Sequence, residues 1–189
     1  MIGMRTLHVF ESVSLDGYFR KPDGDIRWTY EGSAEPEFQA FVADNASGGG
    51  ELLLGRTTFE MMRAFWPTPM AAQQMPVVAK RMNAMTKYVV SRSLGEPGWE
   101  NTRVLRSLDD VRALKAQPGP TITVLGSGTL VAQLAEADLV DSYQLVVLPV
   151  VLGAGRTVFD GTHRQIDLSL TSTRAFRNGR VVMTYERAA

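Results

Sequence analysis

A glycine-rich segment, Thr121-Ile-Thr-Val-Leu-Gly-Ser-Gly-Thr-Leu130, has residue types that bind phosphate groups. Its apolar start, Ile122 to Leu125, predicts a buried strand, and the apolar spacing that follows predicts a helix to about Ala137. Glycines at a strand-to-helix turn allow close approach of a ligand, and the helix N-terminus favours an anion. The turn from Gly126 to Thr129 therefore either binds the pyrophosphate of a dinucleotide or serves only to reverse the chain.

The turn lacks the fingerprint of a Rossmann dinucleotide site. That motif requires a third glycine three residues after the second, where Val131 stands. It also expects an acidic residue about 20 residues further on to bind the ribose, and none lies there. A dinucleotide site in this chain therefore belongs to a different fold.

Two other strand ends carry basic or hydroxyl residues. Glu51 to Glu60 predicts a strand followed by a helix from about Thr58, because Thr57 and Glu60 have capping-box spacing. This places Gly55 and Arg56 at the strand end, where an arginine beside an open helix N-terminus suits a phosphate. A solvated surface arginine is the alternative.

A further strand, Lys87 to Ser91, leads into Ser91-Arg92-Ser93. Ligands of open α/β sheets bind outside the carboxyl ends of the strands. We therefore expect the ends near Arg56, Ser91 and Gly126 to form one anion site at a common edge of the sheet.

Composition narrows the class of protein. The chain has 189 residues, as expected for one domain (1–189), with 20 basic and 20 acidic residues and hence no net charge. This balance gives no support to a nucleic-acid or membrane-surface partner. There is no cysteine, which excludes thiolate catalysis and cysteine-bound metal, and we predict no metal site. Without an evident signal peptide or membrane span, a soluble cytoplasmic protein is expected.

Strands and helices alternate along the rest of the chain. The pattern predicts strands at Arg5–Val13 and near Arg103–Leu105, helices at Ser33–Asn45, Gln73–Met85 and Leu108–Ala116, and a hairpin around Asn178-Gly179. The apolar run Ser142–Leu152 predicts a strand buried on both faces, with Pro149 marking its end. The part from Leu145 to Leu152 could equally help to form a dimer interface. The expected fold is one mostly parallel α/β sheet with helices on both faces and a C-terminal antiparallel hairpin.

Four ordered motifs resemble the dihydrofolate-reductase-like superfamily, and most closely its branch of riboflavin-biosynthesis (RibD) C-terminal reductase domains. They are Ser14-Leu-Asp-Gly17, Leu53-Leu-Gly-Arg-Thr-Thr-Phe-Glu60, Gly126-Ser-Gly-Thr-Leu130 and Pro149-Val-Val-Leu-Gly-Ala-Gly-Arg-Thr-Val-Phe159. The resemblance covers nearly the whole chain. It implies an eight-stranded sheet and an NADPH-dependent reductase of a small nitrogen heterocycle or imine, pterin-like or flavin-precursor-like.

The resemblance also implies roles for particular residues. The expected cofactor contacts are Gly55, Arg56 and Thr58 to the phosphates, Ser91 and Arg92 to the adenosine 2′-phosphate, and Gly126, Ser127, Gly128 and Thr129 to the pyrophosphate. The loop from Asp16 to Trp28 would cover the nicotinamide and the substrate. Glu35 and Glu37 stand near the helical carboxylate with which folate reductases bind the pterin ring. Reductases of the riboflavin pathway carry a lysine four residues before their Ser-Leu-Asp-Gly motif, where this chain has Phe10. This departure puts the phosphorylated substrate of those reductases in question for this chain.

Hydride transfer needs no protein nucleophile, because the cofactor supplies the chemistry and the protein supplies orientation. A proton must still reach the substrate, and Asp16, another carboxylate of the loop or a water are the candidates. We assign Asp16 to substrate contact, although an aspartate before Gly17 can also simply form a turn. Two alternatives to a reductase are a paralogue that binds NADPH without turnover and a homodimeric module without a cofactor.

Overall fold

The computed structural model describes residues 4–188, which form ten strands and six α-helices. The strands are β1 (Leu7–Ser14), β2 (Tyr18–Arg20), β3 (Glu51–Gly55), β4 (Lys87–Val90), β5 (Thr102–Leu105), β6 (Ile122–Leu125), β7 (Ser142–Leu148), β8 (Arg156–Thr157), β9 (Leu168–Ala175) and β10 (Val181–Arg187). The helices are α1 (Pro36–Ser47), α2 (Arg56–Phe65), α3 (Pro69–Gln74), α4 (Pro76–Ala84), α5 (Leu108–Lys115) and α6 (Gly128–Glu136).

Eight of the strands form one sheet in the order β5-β4-β3-β6-β1-β7-β10-β9, and β2 pairs with β8. The pairs β3–β4, β3–β6, β4–β5 and β1–β7 are parallel, and the last two strands are antiparallel. The predicted fold class, a mostly parallel sheet closed by an antiparallel hairpin, is confirmed. Within residues 4–188 no helix combines the length and hydrophobicity needed to cross a bilayer.

The described residues divide into two compact units. The first contains residues 4–7 and 41–127 and carries β3 to β6 with α2 to α5. Its core packs the fully buried Leu54 and Phe59 against Val89 and Trp99. Leu52, Leu53 and Leu54 are all buried, as expected of a parallel strand covered on both faces.

The second unit contains residues 8–40 and 128–188. Strand β1 alternates between buried and half-buried positions, whereas α6 buries most of its residues, including Leu130, Val131 and Leu134. The hairpin predicted at Asn178-Gly179 is confirmed, with Gly179 at a φ of +83°.

Several predicted boundaries were wrong. Helix α2 starts at Arg56 rather than Thr58, and no side chain caps it. The expected helix Gln73–Met85 is two helices, because Pro76 has no N–H to donate and a new helix starts there. Helix α1 starts at Pro36 instead of at Ser33. The strand that begins at Ser142 ends at Leu148, directly before Pro149, as expected, but Leu145 and Val147 are only half-buried rather than enclosed on both faces.

Candidate functional site

Three neighbouring parallel strands of the first unit end at the same edge of the sheet. Gly55 of β3 is in register with Val90 of β4, and Leu53 of β3 with Val124 of β6. The segments after these strands, which begin at Arg56, Ser91 and Gly126, therefore leave the sheet side by side. This adjacency, expected from the sequence, is confirmed.

Ser127 links two of these strand ends. Its Oγ accepts the N–H of Gly55 at 2.9 Å and donates to Oγ1 of Thr58 at 2.7 Å. Gly126 and Ser127 both adopt left-handed backbone conformations, with φ of +56° and +66°. The hydrogen bonds hold Ser127 in a conformation that non-glycine residues rarely adopt.

The first turn of α2 is open to an anion. Its N-cap residue, Gly55, offers no side-chain hydrogen bond, so the first N–H groups of the helix have no capping side chain. The hydroxyl proton of Thr58, whose oxygen accepts from Ser127, remains available to donate. Backbone N–H groups, a hydroxyl donor and the helix dipole together favour a phosphate.

Arg56 lies half-exposed at the start of α2 and contacts the segment after β4. Its Nε donates to Glu60 at 2.8 Å and one terminal nitrogen donates to Oγ of Ser93 at 2.8 Å. Ser93 was not selected from the sequence. Ser91, in contrast, was selected from the sequence, and it is buried. Its hydroxyl oxygen accepts the N–H of Leu94 at 3.1 Å and so stabilises a local turn.

A further arginine at this edge was also missed in the sequence. Arg106 follows β5, the neighbour of β4, and donates to the carbonyl oxygens of Ser91 at 3.0 Å and Leu94 at 2.7 Å. Arg92, between these two carbonyls, is exposed. Three arginines (Arg56, Arg92 and Arg106) thus follow three adjacent strands. The signal that could have revealed Arg106 is its position between a strand and the capping residue Ser107.

Gly128 has a packing role that the sequence did not indicate. A Cβ at this position would lie 2.3 Å from the Phe19 ring, which is buried against the start of α6. A glycine is therefore required here by a protein side chain, whether or not a ligand also approaches. The next residue, Thr129, is exposed.

Asp16 holds the loop that contains Ser-Leu-Asp-Gly to a second loop. Its Oδ1 accepts the hydroxyl of Ser14 at 2.6 Å and the N–H of Leu152 at 3.1 Å, and its Oδ2 accepts the N–H of Gly153 at 2.7 Å. The hydrogen bond from Ser14, with those from the two N–H groups, lowers the pKa of Asp16. Asp16 is therefore ionised at neutral pH and does not carry a proton to donate.

The other residues assigned to substrate differ in their surroundings. Glu35 accepts the N–H of Phe38 at 2.8 Å and thus caps α1, and Glu37 pairs with Arg174 at 2.9 Å. Trp28 lies buried in a short 3-10 helix (Arg27–Thr29), and its indole N–H has no hydrogen-bond partner among the described residues. Trp28 is thus the member of this set with a buried polar atom that no other described residue satisfies.

Glu11 is a buried acid that sequence reasoning did not consider. It occupies an inward position of β1, in line with Leu7, Val9 and Val13, and is 7% exposed. One carboxyl oxygen accepts the N–H of Ser12 at 3.0 Å, and the other has no partner among residues 4–188. Burial raises the pKa of Glu11 to about 8. An acid in the inward phase of an alternating apolar strand is the signal that could have identified it.

The fold defines the class: an α/β protein whose mostly parallel eight-stranded sheet ends in an antiparallel hairpin. The RibD C-terminal domain model matches residues 5–182, and the chain belongs to that family. Protein YyaP of Bacillus subtilis (strain 168) is 28% identical over 177 residues, covering 92% of this chain and 90% of that protein.

Two solved structures share the fold at low sequence identity. A putative riboflavin biosynthesis protein from Shewanella sp. PV-4 matches with a TM-score of 0.70 and 20% identity, over 97% of this chain and 99% of that one. Dihydrofolate reductase from Enterococcus faecalis, complexed with NADP(H) and RAB-propyl, matches with a TM-score of 0.65 and 18% identity, over 97% of each chain.

Proposed function

We propose that the protein is an NADPH-dependent reductase that transfers a hydride to a small nitrogen heterocycle or imine, pterin-like or flavin-precursor-like. Family membership supports a reductase-type function. The observation that carries the cofactor assignment is the row of Arg56, Arg92 and Arg106 after three adjacent strands, beside the uncapped start of α2. A row of guanidinium groups suits a cofactor with an additional phosphate, because each forms charge-assisted hydrogen bonds to phosphate oxygens.

The residues present fit this cofactor. Gly55, Arg56 and Thr58 would bind its phosphates, and Arg92 with Ser91, Ser93 and Arg106 would bind the adenosine 2′-phosphate. The turn from Gly126 to Thr129 would bind the pyrophosphate. Gly126 adopts a left-handed backbone conformation in this turn, and Gly128 and Thr129 are the first residues of α6. When bound, NADPH supplies the hydride, and the chain positions it.

Substrate contacts are assigned to the second unit. The unpaired indole N–H of Trp28 suits an acceptor atom of a heterocycle. Asp16, being ionised and bonded to two backbone N–H groups, would orient the loop around the substrate and leave protonation to water. We further propose that the two units form a single functional domain. The protein is also proposed to be cytoplasmic and to form a homodimer.

The alternative function is an NADPH-binding paralogue without turnover. It is favoured by the partners of the carboxylates assigned to substrate, because Glu35 caps a helix, Glu37 pairs with Arg174 and Asp16 bonds its own loops. The two functions are distinguished by adding a dihydropterin or a flavin precursor to the protein with NADPH and measuring NADPH oxidation. Consumption of NADPH supports the reductase, whereas binding without consumption supports the paralogue.

Titration with NADPH and NADH, followed by tryptophan fluorescence, tests the cofactor site. NADPH is expected to bind more tightly than NADH. Arg56→Ala and Arg92→Ala should each weaken NADPH binding roughly 10- to 150-fold, which corresponds to a loss of about 1.5–3 kcal/mol. Arg112→Ala, on α5, serves as the control and should bind as the parent does. If both strand-end variants also bind NADPH as tightly as the parent, the cofactor assignment is wrong.

A further inference from the structure

A cavity of about 220 Å³ opens at the surface of the second unit. Strand β7, the segment between β8 and β9 and the start of β9 line it, with the residues Tyr143, Phe159, Thr162, Arg164, Ile166 and Leu168. None of these residues has been assigned above to the cofactor or to the substrate. The cavity therefore needs an explanation of its own.

The cavity and helix α1 lie on opposite faces of the sheet. Tyr143 and Val146 are three residues apart on β7, so their side chains point to opposite faces. Val146 shares its face with Val182 and Arg174, its register partners across β10 and β9. Arg174 forms an ion pair with Glu37 of α1 at 2.9 Å, so α1 lies on that face. The cavity beside Tyr143 is thus separate from the substrate contacts assigned around the start of α1.

Polar contacts fix the segment between β8 and β9 to the end of helix α6. The backbone N–H of His163 donates to the carboxylate of Glu136 at 2.9 Å. Next to it, Arg164 forms an ion pair with Asp138 at 3.0 Å. These contacts oppose collapse of the segment into the cavity. The cavity is therefore formed before a ligand arrives, which lowers the cost of ordering on binding.

Most of the cavity wall is apolar and part of it is aromatic. The ring of Phe159 packs edge-on against that of Tyr143, with centroids 5.5 Å apart and planes at 63°. Ile166 and Leu168, both half-buried, add aliphatic surface. Two rings at such an angle form a corner against which a third ring can pack with its edge or in an offset stack. The wall therefore suits a flat apolar group.

The hydroxyl group of Tyr143 is a donor without an acceptor. Tyr143 is 1% exposed, and its hydroxyl forms no hydrogen bond with the residues that the structure describes. Burial raises the pKa of Tyr143 to about 12, so the hydroxyl keeps its proton at physiological pH. Buried hydroxyl groups normally have a hydrogen-bond partner. Because Tyr143 lines the cavity, a ligand with an acceptor atom can satisfy this donor.

Arg164 supplies positive charge to the cavity. It pairs with Oδ1 of Asp138 at 3.0 Å, and Arg187 contacts the same oxygen at 3.0 Å. Since two guanidinium groups share this carboxylate, Arg164 retains N–H donors for a further anion. Asp138 and Asp141 both act on the pKa of Tyr143, but neither is among the residues that line the cavity. The charge on the lining is therefore that of a cation.

We infer that this cavity binds a small aromatic carboxylic acid in its ionised form. The ring of the ligand packs against Tyr143 and Phe159, and its carboxylate accepts hydrogen bonds from the Tyr143 hydroxyl and the Arg164 guanidinium. An apolar cavity of about 150 Å³ can hold benzene. A cavity of about 220 Å³ therefore leaves room for the carboxylate as well. The inference is independent of the proposed reductase activity, because it uses none of the residues assigned to cofactor or substrate.

Titration of the full chain with benzoate, followed by NMR of the aromatic ring signals, tests the site. Benzoate should shift the signals of Tyr143 and Phe159 until they saturate, with a dissociation constant of about 1 mM or lower. Benzamide has nearly the same shape but no charge. It should bind at least tenfold more weakly, because it cannot form charge-assisted hydrogen bonds with Arg164.

Two variants test the donors. Arg164→Gln should weaken benzoate binding at least tenfold and Tyr143→Phe about three- to tenfold, because each removes a donor to the carboxylate. Arg187 still contacts Asp138 in the first variant, so it should stay folded, as its melting temperature would show. Arg177→Gln, exposed between β9 and β10, is the matched control and should bind benzoate as the parent does.

Several outcomes would overturn the inference. They are the absence of saturable shifts at about ten times the expected dissociation constant, equal binding of benzamide, and an equal loss in Arg177→Gln and Arg164→Gln. Because a homodimer is proposed, sedimentation equilibrium is measured with and without benzoate. Binding confined to the dissociated monomer would show that a second copy covers the cavity, and this too would overturn the inference. None of these outcomes depends on NADPH binding, which is measured separately.

Discussion

The Oγ atom of Ser127 lies 2.7 Å from Oγ1 of Thr58, although 69 positions separate the two residues in the chain. The same Oγ accepts the N–H of Gly55, so one side chain connects the turn after β6 with the end of β3 and the start of α2. The proposed phosphate site is therefore organised before any ligand arrives, which lowers the entropy cost of binding.

Ser127→Ala is expected to lower the free energy of unfolding by about 1–3 kcal/mol, because the N–H of Gly55 and the hydroxyl of Thr58 lose a partner. Ser127→Gly loses the same hydrogen bonds but relieves the left-handed backbone, so it should be less destabilising. Urea unfolding of the three proteins checks this order. If Ser127→Ala were as stable as the parent, this prediction would be wrong.

Gly128→Ala is expected to destabilise the protein by about 1–3 kcal/mol, because the added methyl group meets the Phe19 ring. Phe19→Ala removes the ring and leaves a cavity, and should by itself cost about 3–5 kcal/mol. The double variant should cost less than the sum of the two, since the clash is absent. Guanidinium unfolding of all four proteins measures this coupling, and additive effects would rule out the packing explanation for Gly128.

Arg106→Ala should weaken NADPH binding more than NADH binding, with the NADPH affinity falling roughly tenfold or more. The physical reason is the loss of one of the three arginines that follow the adjacent strands. Arg103→Ala, three residues earlier on β5, is the control and should leave both affinities unchanged. An equal loss for both nucleotides would show that Arg106 acts only by holding the Ser91–Leu94 turn.

Glu11 should make stability depend on pH. Its folded pKa of about 8 is above its usual value of 4.5, so between these values the native state binds a proton that the unfolded state releases. The free energy of unfolding therefore falls as pH rises from about 4.5 to about 8, by up to about 1.4 kcal/mol per pH unit from this group.

Glu11→Gln removes this titration while it keeps the size of the side chain. Relative to the parent, the variant should become progressively more stable from pH 5 to pH 8. Urea unfolding at several pH values measures the difference between the two curves. Parallel curves over this range would show that Glu11 does not titrate with a raised pKa.

Some features followed from local patterns of residues. The Asn178-Gly179 hairpin was predictable because that dipeptide adopts the turn with little strain, and β3 because three consecutive leucines before a glycine fit a strand buried on both faces. Helix ends were less predictable. Glu35 rather than Ser33 caps α1, since either residue type can accept a backbone N–H and tertiary packing decides which one does.

The sequence by itself determined the fold class, the family and the strand ends with basic and hydroxyl residues, because these follow from periodicity and from short motifs in fixed order. Only the tertiary structure showed that Arg56 contacts Ser93 and that Arg106 contacts the turn after β4. It alone showed that Phe19 requires Gly128, and that one oxygen of the buried Glu11 has no partner among the described residues. Such relationships depend on distances between residues far apart in the chain. No local pattern encodes them, because they arise only when the sheet aligns its strands.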